Sequence, residues 1–183
     1  MRNLTGAKAG LLMAAAVLGM SISSAAGAVD GISVSYGHAS VANAARIGVE
    51  WNWNKHWFEG RNWHLGGYWE LSAGYWQGRG ADTNYDITDV GFTPVFRIER
   101  NSGRGVYLEA GVGAHLLSRT RINSERAFST AFQFGDHIGV GYRFGPHGRY
   151  DIGYRFQHLS NADIKKPNPG INFQEVRFEY HFH

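Results

Sequence analysis

Apolar and polar residues alternate with a period of two along most of the chain. In the clearest segment, about 105–117, Val106 and Leu108 alternate with Tyr107 and Glu109. Such alternation is typical of β-strands that have one apolar face and one polar face. It predicts eight strands, at about 31–38, 44–54, 63–76, 86–99, 105–117, 130–144, 148–160 and 171–182.

Two residues interrupt this pattern. Pro94 falls inside the fourth segment, and because proline has no amide hydrogen to donate, we expect a bulge or a local edge there. Asp136 interrupts the apolar face of the sixth segment, and the alternation does not account for it.

The pattern and the composition together indicate a membrane barrel. The chain has 6 Trp, 9 Tyr, 11 Phe and 25 Gly, and no apolar run of 18 residues follows position 28. In a transmembrane barrel only alternate residues face lipid, and bacterial barrels have an even number of strands. We therefore predict an all-β fold, an eight-stranded antiparallel transmembrane β-barrel of the outer-membrane type. Charged residues of the polar faces can pair inside its narrow lumen: Glu50, Arg97, Glu109, Arg143, Arg155 and Arg177. The alternative is a soluble barrel with an apolar interior.

The N-terminus predicts export. Arg2 and Lys8 precede an apolar stretch at 9–20, and Ala26-Gly27-Ala28 fits a cleavage site, so residues 1–28 are predicted to be a secretory signal peptide and 29–183 the barrel. A membrane anchor is the alternative, but the apolar stretch is short for a spanning helix. If both termini are periplasmic, the short turn at 145–148 is periplasmic as well. The longer connections, notably 118–128 and 161–170, then face outward.

Charge and residue types exclude several classes of function. Without Arg2 and Lys8, the 18 basic residues fall to 16 against 15 acidic ones, a net charge of +1, so binding to nucleic acid has little support. The chain has no cysteine, so disulfides and thiolate sites are absent. Its 9 histidines show no ligand spacing, and we expect neither a metal nor a cofactor.

Candidate chemistry lies on the seventh strand. His158 and Ser160 continue its outward-facing apolar row, and residues two apart on a strand share a face about 6–7 Å apart. A serine needs an adjacent base to act as a nucleophile, and imidazole suits that task near neutral pH. The pair would face outer-leaflet lipid near the extracellular rim. On spacing alone, two polar residues that end a strand at the membrane interface are the favoured interpretation.

The segment after this pair changes that balance. Residues 158–171, HLSNADIKKPNPGI, resemble the signature of the PagL family of lipid A 3-O-deacylases, and 111–118 and 134–141 are similar to it as well. The resemblance implies an eight-stranded outer-membrane barrel that hydrolyses the 3-hydroxyacyl ester at position 3 of lipid A without a metal. Lipopolysaccharide would be the substrate, and a homodimer stays open. Two alternatives remain: a non-enzymatic barrel for adhesion or structure, and an outer-membrane phospholipase.

The resemblance also implies roles for individual residues. His158 is similar to the catalytic histidine of the family and Ser160 to its serine nucleophile. Asn168 matches an oxyanion-hole asparagine, with Asn161 as site support, and Asp163 falls where the family can have a glycine whose N–H donates.

The chain departs from the family pattern at the acid of the triad. The family has a glutamate directly after the Gly-Ile pair, and here that position is Asn172. Glu175 is the nearest carboxylate, but strand parity turns it inward unless a bulge lies near residue 173. Asn172 could orient His158 instead. We leave both open, with a preference for Glu175 because it is charged.

Basic residues on the predicted outer loops could meet the phosphates of lipid A, or could simply be solvated: Arg119, Arg121, Arg126, Lys165 and Lys166. His115 is predicted to face the lumen, where a packing role is favoured over a catalytic one.

Overall fold

The computed structural model describes residues 28–81 and 83–182 as a closed barrel of eight antiparallel strands. The strands are β1 (Gly31–His38), β2 (Ala42–Asn52), β3 (Trp63–Gly78), β4 (Ile87–Arg100), β5 (Gly105–Leu117), β6 (Phe132–Phe144), β7 (Tyr150–Ser160) and β8 (Ile171–His181). Each strand pairs with the next, and β8 pairs with β1. The predicted fold class is confirmed, and every strand end lies within two residues of its predicted position.

The predicted signal peptide lies, apart from Ala28, outside the described residues. The part of the chain that the structure describes contains no helix long and apolar enough to cross a membrane.

The two faces of the barrel wall have opposite polarity. Large apolar side chains point outward and are exposed, among them Val34, Ile47, Leu108, Val140 and Phe178. The inward row is mostly polar and buried. A soluble barrel would have the reverse arrangement, whereas hydrocarbon solvates an apolar outer wall. The alternative of a soluble barrel with an apolar interior is therefore wrong.

Ion pairs fill the middle of the lumen. Arg97 contacts Glu109 at 2.8 Å and Glu179 at 2.9 Å. Arg155 lies between Glu109, at 2.8 Å, and Glu70, at 3.1 Å. Buried charges require this kind of pairing, because an isolated charge loses its hydration without compensation. The predicted pairing inside the barrel is confirmed, and the interior is a packed charged core.

An apolar cluster closes one end of the lumen. It contains Ala39, Ala42, Ala44, Trp76, Ile87, Leu117, Ile122, Phe128, Leu159, Ile171 and Phe173. Leu159 and Phe173 have no exposed surface, and they alternate along β7 and β8 with the outward-facing His158 and Asn172. Burial of Leu159 and Phe173 therefore holds this end of both strands in one register.

Pro94 does not produce a bulge. Asp89–Phe92 and Val95–Ile98 pair with β5 in the same register on both sides of it. Pro94 itself pairs with Trp69 of β3. The structure therefore has a local break in the pairing with β5, as expected for a residue without an amide hydrogen, and no inserted residue.

The first residue of β1 and the last residue of β8 lie at the end of the barrel opposite the apolar cluster. Gly31 pairs with His181, and the amide of His181 donates to the carbonyl of Arg149, next to the short β6–β7 turn. Connections 118–131 and 161–170 lie at the other end, as predicted. The β2–β3 connection, 53–62, is long although it lies at the same end of the barrel as Gly31 and His181. It folds back so that Trp57 pairs with Leu65.

Candidate active site

His158 and Ser160 share the outward face of β7, at the end that carries the longer connections. Both are half-buried, and Leu159 between them points into the apolar cluster. The predicted parity of the pair is confirmed. In the sheet, His158 stands beside Asn172 of β8 on one side and beside Asp136 of β6 on the other.

Asn172 is the side chain that holds the imidazole of His158. Nδ1 of His158 lies 2.6 Å from Oδ1 of Asn172. An amide oxygen only accepts hydrogen bonds, so Nδ1 carries a hydrogen and donates it. The other ring nitrogen, Nε2, then keeps its lone pair, as a general base requires.

Glu175 lies in the lumen, which corrects the preference for it. Its carboxylate accepts hydrogen bonds from Arg46, at 3.1 Å, and from the hydroxyl of Ser35, at 3.3 Å. The register of β7 with β8 runs without interruption from His158 to Tyr150, so no bulge reverses the parity of Glu175. The barrel wall separates its carboxylate from His158, and of the two candidates only Asn172 touches the imidazole.

The connection 161–170 follows Ser160 directly and contacts its hydroxyl through Ala162. The amide of Ala162 points to Oγ of Ser160 at 3.4 Å. Oδ1 of Asn168 accepts from the amide of Asn161 at 3.0 Å, and Nδ2 of Asn168 donates to Asp163 at 3.3 Å. Asp163 has φ +60°, the left-handed conformation that glycine adopts most readily. These residues form a polar turn next to Ser160.

A second connection, 118–131, clamps this turn. Nδ2 of Asn161 donates to Oγ of Ser129 at 2.7 Å, and that hydroxyl donates to the carbonyl of Lys165 at 2.5 Å. Arg126 donates through Nη1 to the carbonyl of Gly170 at 2.5 Å. The sequence left Arg126 as either a phosphate contact or a solvated charge, whereas the structure shows it bound to backbone carbonyls. The sequence could not predict this contact between the two connections, because backbone carbonyls, which every residue has, accept its hydrogen bonds.

An apolar groove of about 530 Å³ runs along the outward face to His158. Phe96 of β4, Ile138 of β6 and Phe156 of β7 line it, with the small Ala110 of β5 between them. Asp136 is the acidic residue in this lining. The groove opens toward lipid and ends at the imidazole, so it can receive an extended acyl chain.

The side chains of the remaining candidate residues make other contacts or are exposed. The guanidinium carbon of Arg119 lies 5.8 Å from the ring centroid of Tyr85. Arg121 forms an isolated backbone β-bridge with Ala127. Lys165 and Lys166 are exposed. His115 is buried in the lumen, as predicted, with Nδ1 2.8 Å from Asp89 and Nε2 3.3 Å from Gln157. Its contacts agree with a packing role.

A group of possible metal ligands lies at the other end of the lumen. Asp151, Glu179 and His181 offer ligand atoms within 4.8 Å of one another. Arg97 contacts both carboxylates, at 3.3 Å and 2.9 Å. A guanidinium therefore already provides the positive charge that a metal ion would supply, and the group is remote from Ser160.

The fold and the site define a small outer-membrane β-barrel with a serine–histidine pair on its lipid-facing surface. The family described as "Lipid A 3-O-deacylase (PagL)" matches residues 32–181. The chain is 41% identical over 113 residues to the lipid A deacylase PagL of Bordetella bronchiseptica, covering 62% of this chain and 61% of that protein. It is 34% identical over 128 residues to the PagL of Pseudomonas aeruginosa, covering 69% and 70%. The chain therefore belongs to the PagL family of lipid A deacylases.

Solved structures agree with this assignment. The crystal structure of the outer membrane enzyme PagL superposes with a TM-score of 0.72 at 28% identity, covering 83% of this chain and 99% of that one. Neisserial surface protein A superposes with a TM-score of 0.52 at 12% identity, covering 83% and 95%, and shows a similar fold only.

Proposed function

We propose that this chain hydrolyses the 3-O-linked 3-hydroxyacyl ester of lipid A in the outer membrane. Ser160 is the nucleophile, His158 the general base and Asn172 the residue that orients the imidazole. The observation that most directly supports this proposal is the shared outward position of His158 and Ser160. Oδ1 of Asn172 lies 2.6 Å from Nδ1 of the same histidine.

The geometry supports a two-step acyl transfer. Nε2 of His158 takes the proton of Ser160 while Oγ attacks the ester carbonyl, and the protonated imidazole then gives that proton to the departing sugar oxygen. Water attacks the acyl-enzyme in the second step, again with His158 as base. This releases the 3-hydroxy fatty acid and restores Ser160.

The polar turn after Ser160 supplies donors for the developing oxyanion. The amide of Ala162 already points toward the hydroxyl, and Asn168 has a second amide hydrogen beyond the one given to Asp163. Preorganised donors of this kind contribute a large share of acyl-transfer catalysis. The apolar groove beside His158 accommodates the acyl chain. The basic side chains of Lys165, Lys166, Arg119 and Arg121 remain candidate contacts for the lipid A phosphates.

The three proposed catalytic side chains belong to β7 and β8 of one chain. The proposal therefore holds equally for a monomer and for a homodimer.

The test is the mass of lipid A after incubation with purified protein in detergent micelles. We expect the loss of one 3-hydroxyacyl group, absent with Ser160→Ala and unchanged with Ser102→Ala, a serine in the β4–β5 turn at the other end of the barrel. Equal activity of Ser160→Ala and the parent protein would show that the nucleophile is wrong.

A phospholipid offered beside lipid A distinguishes the competing functions. Release of fatty acid from phospholipid alone would favour a phospholipase. Release from neither lipid, by protein that is folded, would favour a non-enzymatic barrel.

A further inference from the structure

Four outward-facing residues form one row across the barrel wall next to His158. Phe156 of β7 pairs with Ile138 of β6, and Ile138 pairs in turn with Ala110 of β5. Phe96 of β4 pairs with Ala110 and is the last member of this row. All four residues line the apolar groove. The groove therefore crosses four strands instead of following one of them.

The row runs from one rim of the barrel toward the other. Phe156 is four residues before the end of β7, at the rim that carries Ser160, and Phe96 is four residues before the end of β4, at the opposite rim. Strand spacings of about 4.8 Å and a rise of about 3.3 Å per residue place Phe96 roughly 19 Å from Ser160. An extended alkyl chain advances about 1.3 Å per carbon atom when its C–C bonds are about 1.52 Å long, so this path has room for about 14 carbon atoms.

The row continues onto β3 at Gly67, and the indole of Trp53 lies on this glycine. Gly67 pairs with Phe96, and because it has no side chain, the groove would extend over it. A Cβ atom built on Gly67 would lie 2.6 Å from Cε3 of Trp53, so the indole occupies this space. The same ring packs edge-on against Phe96, with centroids 4.9 Å apart, and against Trp69 at 5.6 Å. The groove therefore ends at Trp53.

The connection 53–62 holds Trp53 in this position. The amide of Trp53 donates to the carbonyl of Gly67 at 3.0 Å. Trp57 and Leu65 exchange two backbone hydrogen bonds, at 2.8 Å and 2.9 Å, and the ring of Trp57 meets that of Trp53 edge-on with centroids 5.8 Å apart. Aromatic pairs of this geometry are stabilising, so the indole is fixed from the side of the connection as well as from the side of the sheet.

We propose that Trp53 is a specificity-determining residue that limits the length of the acyl chain that the groove accepts. A chain of up to about 14 carbon atoms lies in the groove along its whole length, whereas a longer one meets the indole about 4.8 Å beyond Phe96. The longer chain has to bend out of the groove toward lipid, which loses contacts with the row and places its ester less well against Ser160. This inference rests on the proposed function, since it needs acyl transfer at Ser160.

Two lipid A substrates that differ only in the acyl chain at position 3 test the inference. One carries a 3-hydroxydodecanoyl chain, which fits the groove, and the other a 3-hydroxyoctadecanoyl chain, which is too long for it. We expect the parent protein to favour the shorter chain about fivefold in kcat/KM, and Trp53→Ala to reduce this preference to less than about twofold. Trp53→Phe keeps an aromatic ring at the end of the groove and should retain most of the preference.

Trp63→Ala is the matched control. It removes another outward-facing tryptophan at the same rim, whose ring lies against Arg100, and we expect the parental preference. Faster cleavage of the longer chain by Trp53→Ala is a gain of activity, so misfolding of the variant cannot produce it.

Equal cleavage of both substrates by the parent protein, or a preference that Trp53→Ala leaves unchanged, would overturn the inference. Failure of the proposed function is recognised separately, because neither substrate would then lose its chain at position 3, or Ser160→Ala would be as active as the parent protein.

Discussion

Gly170→Ala should disable the enzyme by pushing His158 out of place. Gly170 has φ +58°, and a Cβ atom built on it would lie 2.8 Å from Cε1 of His158 and 3.3 Å from the carbonyl of Leu159. Carbon atoms at optimal separation are about 3.5–4.0 Å apart. The backbone of Leu159 belongs to the sheet and cannot retreat, so the imidazole must move by about 0.7–1.2 Å.

A displacement of this size has a large catalytic effect. A misplacement of about 1 Å can cost about 100-fold in rate, so we expect kcat to fall about 100-fold. The left-handed backbone adds a cost of about 1–2 kcal/mol to folding for any residue with a Cβ. That cost lowers the free energy of unfolding but does not change the position of His158.

Gly103→Ala separates the two effects. Gly103 has φ +61°, and nothing lies within 4 Å of a Cβ placed there, in the β4–β5 turn far from Ser160. Both variants should therefore lose similar stability in urea unfolding, while only Gly170→Ala loses activity in the lipid A assay. If folded Gly170→Ala deacylates lipid A at the parental rate, the assigned position of His158 is wrong.

Two further predictions concern the lumen and the clamp. Arg155→Met leaves Glu70 and Glu109 with fewer partners and should lower the free energy of unfolding by about 3–5 kcal/mol, measured by urea titration in lipid vesicles. A change below about 1 kcal/mol would contradict the pairing. Arg126→Met removes the charge-assisted bond to the carbonyl of Gly170, and should lower kcat about tenfold while the free energy of unfolding falls by no more than about 1.5–3 kcal/mol. Arg104→Met, at an exposed arginine of the β4–β5 turn at the other end of the barrel, is its control, and equal kcat in both variants would refute the clamp.

Local alternation was enough to predict the barrel. Strands such as β5 carry a strict apolar–polar repeat, because lipid and lumen impose opposite requirements on neighbouring residues. The same repeat placed His158 and Ser160 on the outward face. The β2–β3 connection could not be predicted, because its folding back depends on the pairing of Trp57 with Leu65.

The neighbours of His158 could be identified only from the register between strands. Strand parity in the sequence already indicated that Glu175 points inward unless a bulge intervenes. We nevertheless preferred Glu175 because it is charged. The uninterrupted pairing of β7 with β8 shows that no bulge is present. Asp136 had no explanation along its own strand, and only the register placed it next to His158.

The sequence by itself therefore determined the strands, the orientation of their side chains and the residue types of the candidate site. Only the tertiary structure decided which side chains meet across strands and which connections hold the site together. The physical reason is that the period-two pattern is a local property of one strand facing two solvents. Register and loop contacts depend instead on hydrogen bonds between segments far apart in the chain, such as Arg126 with the carbonyl of Gly170.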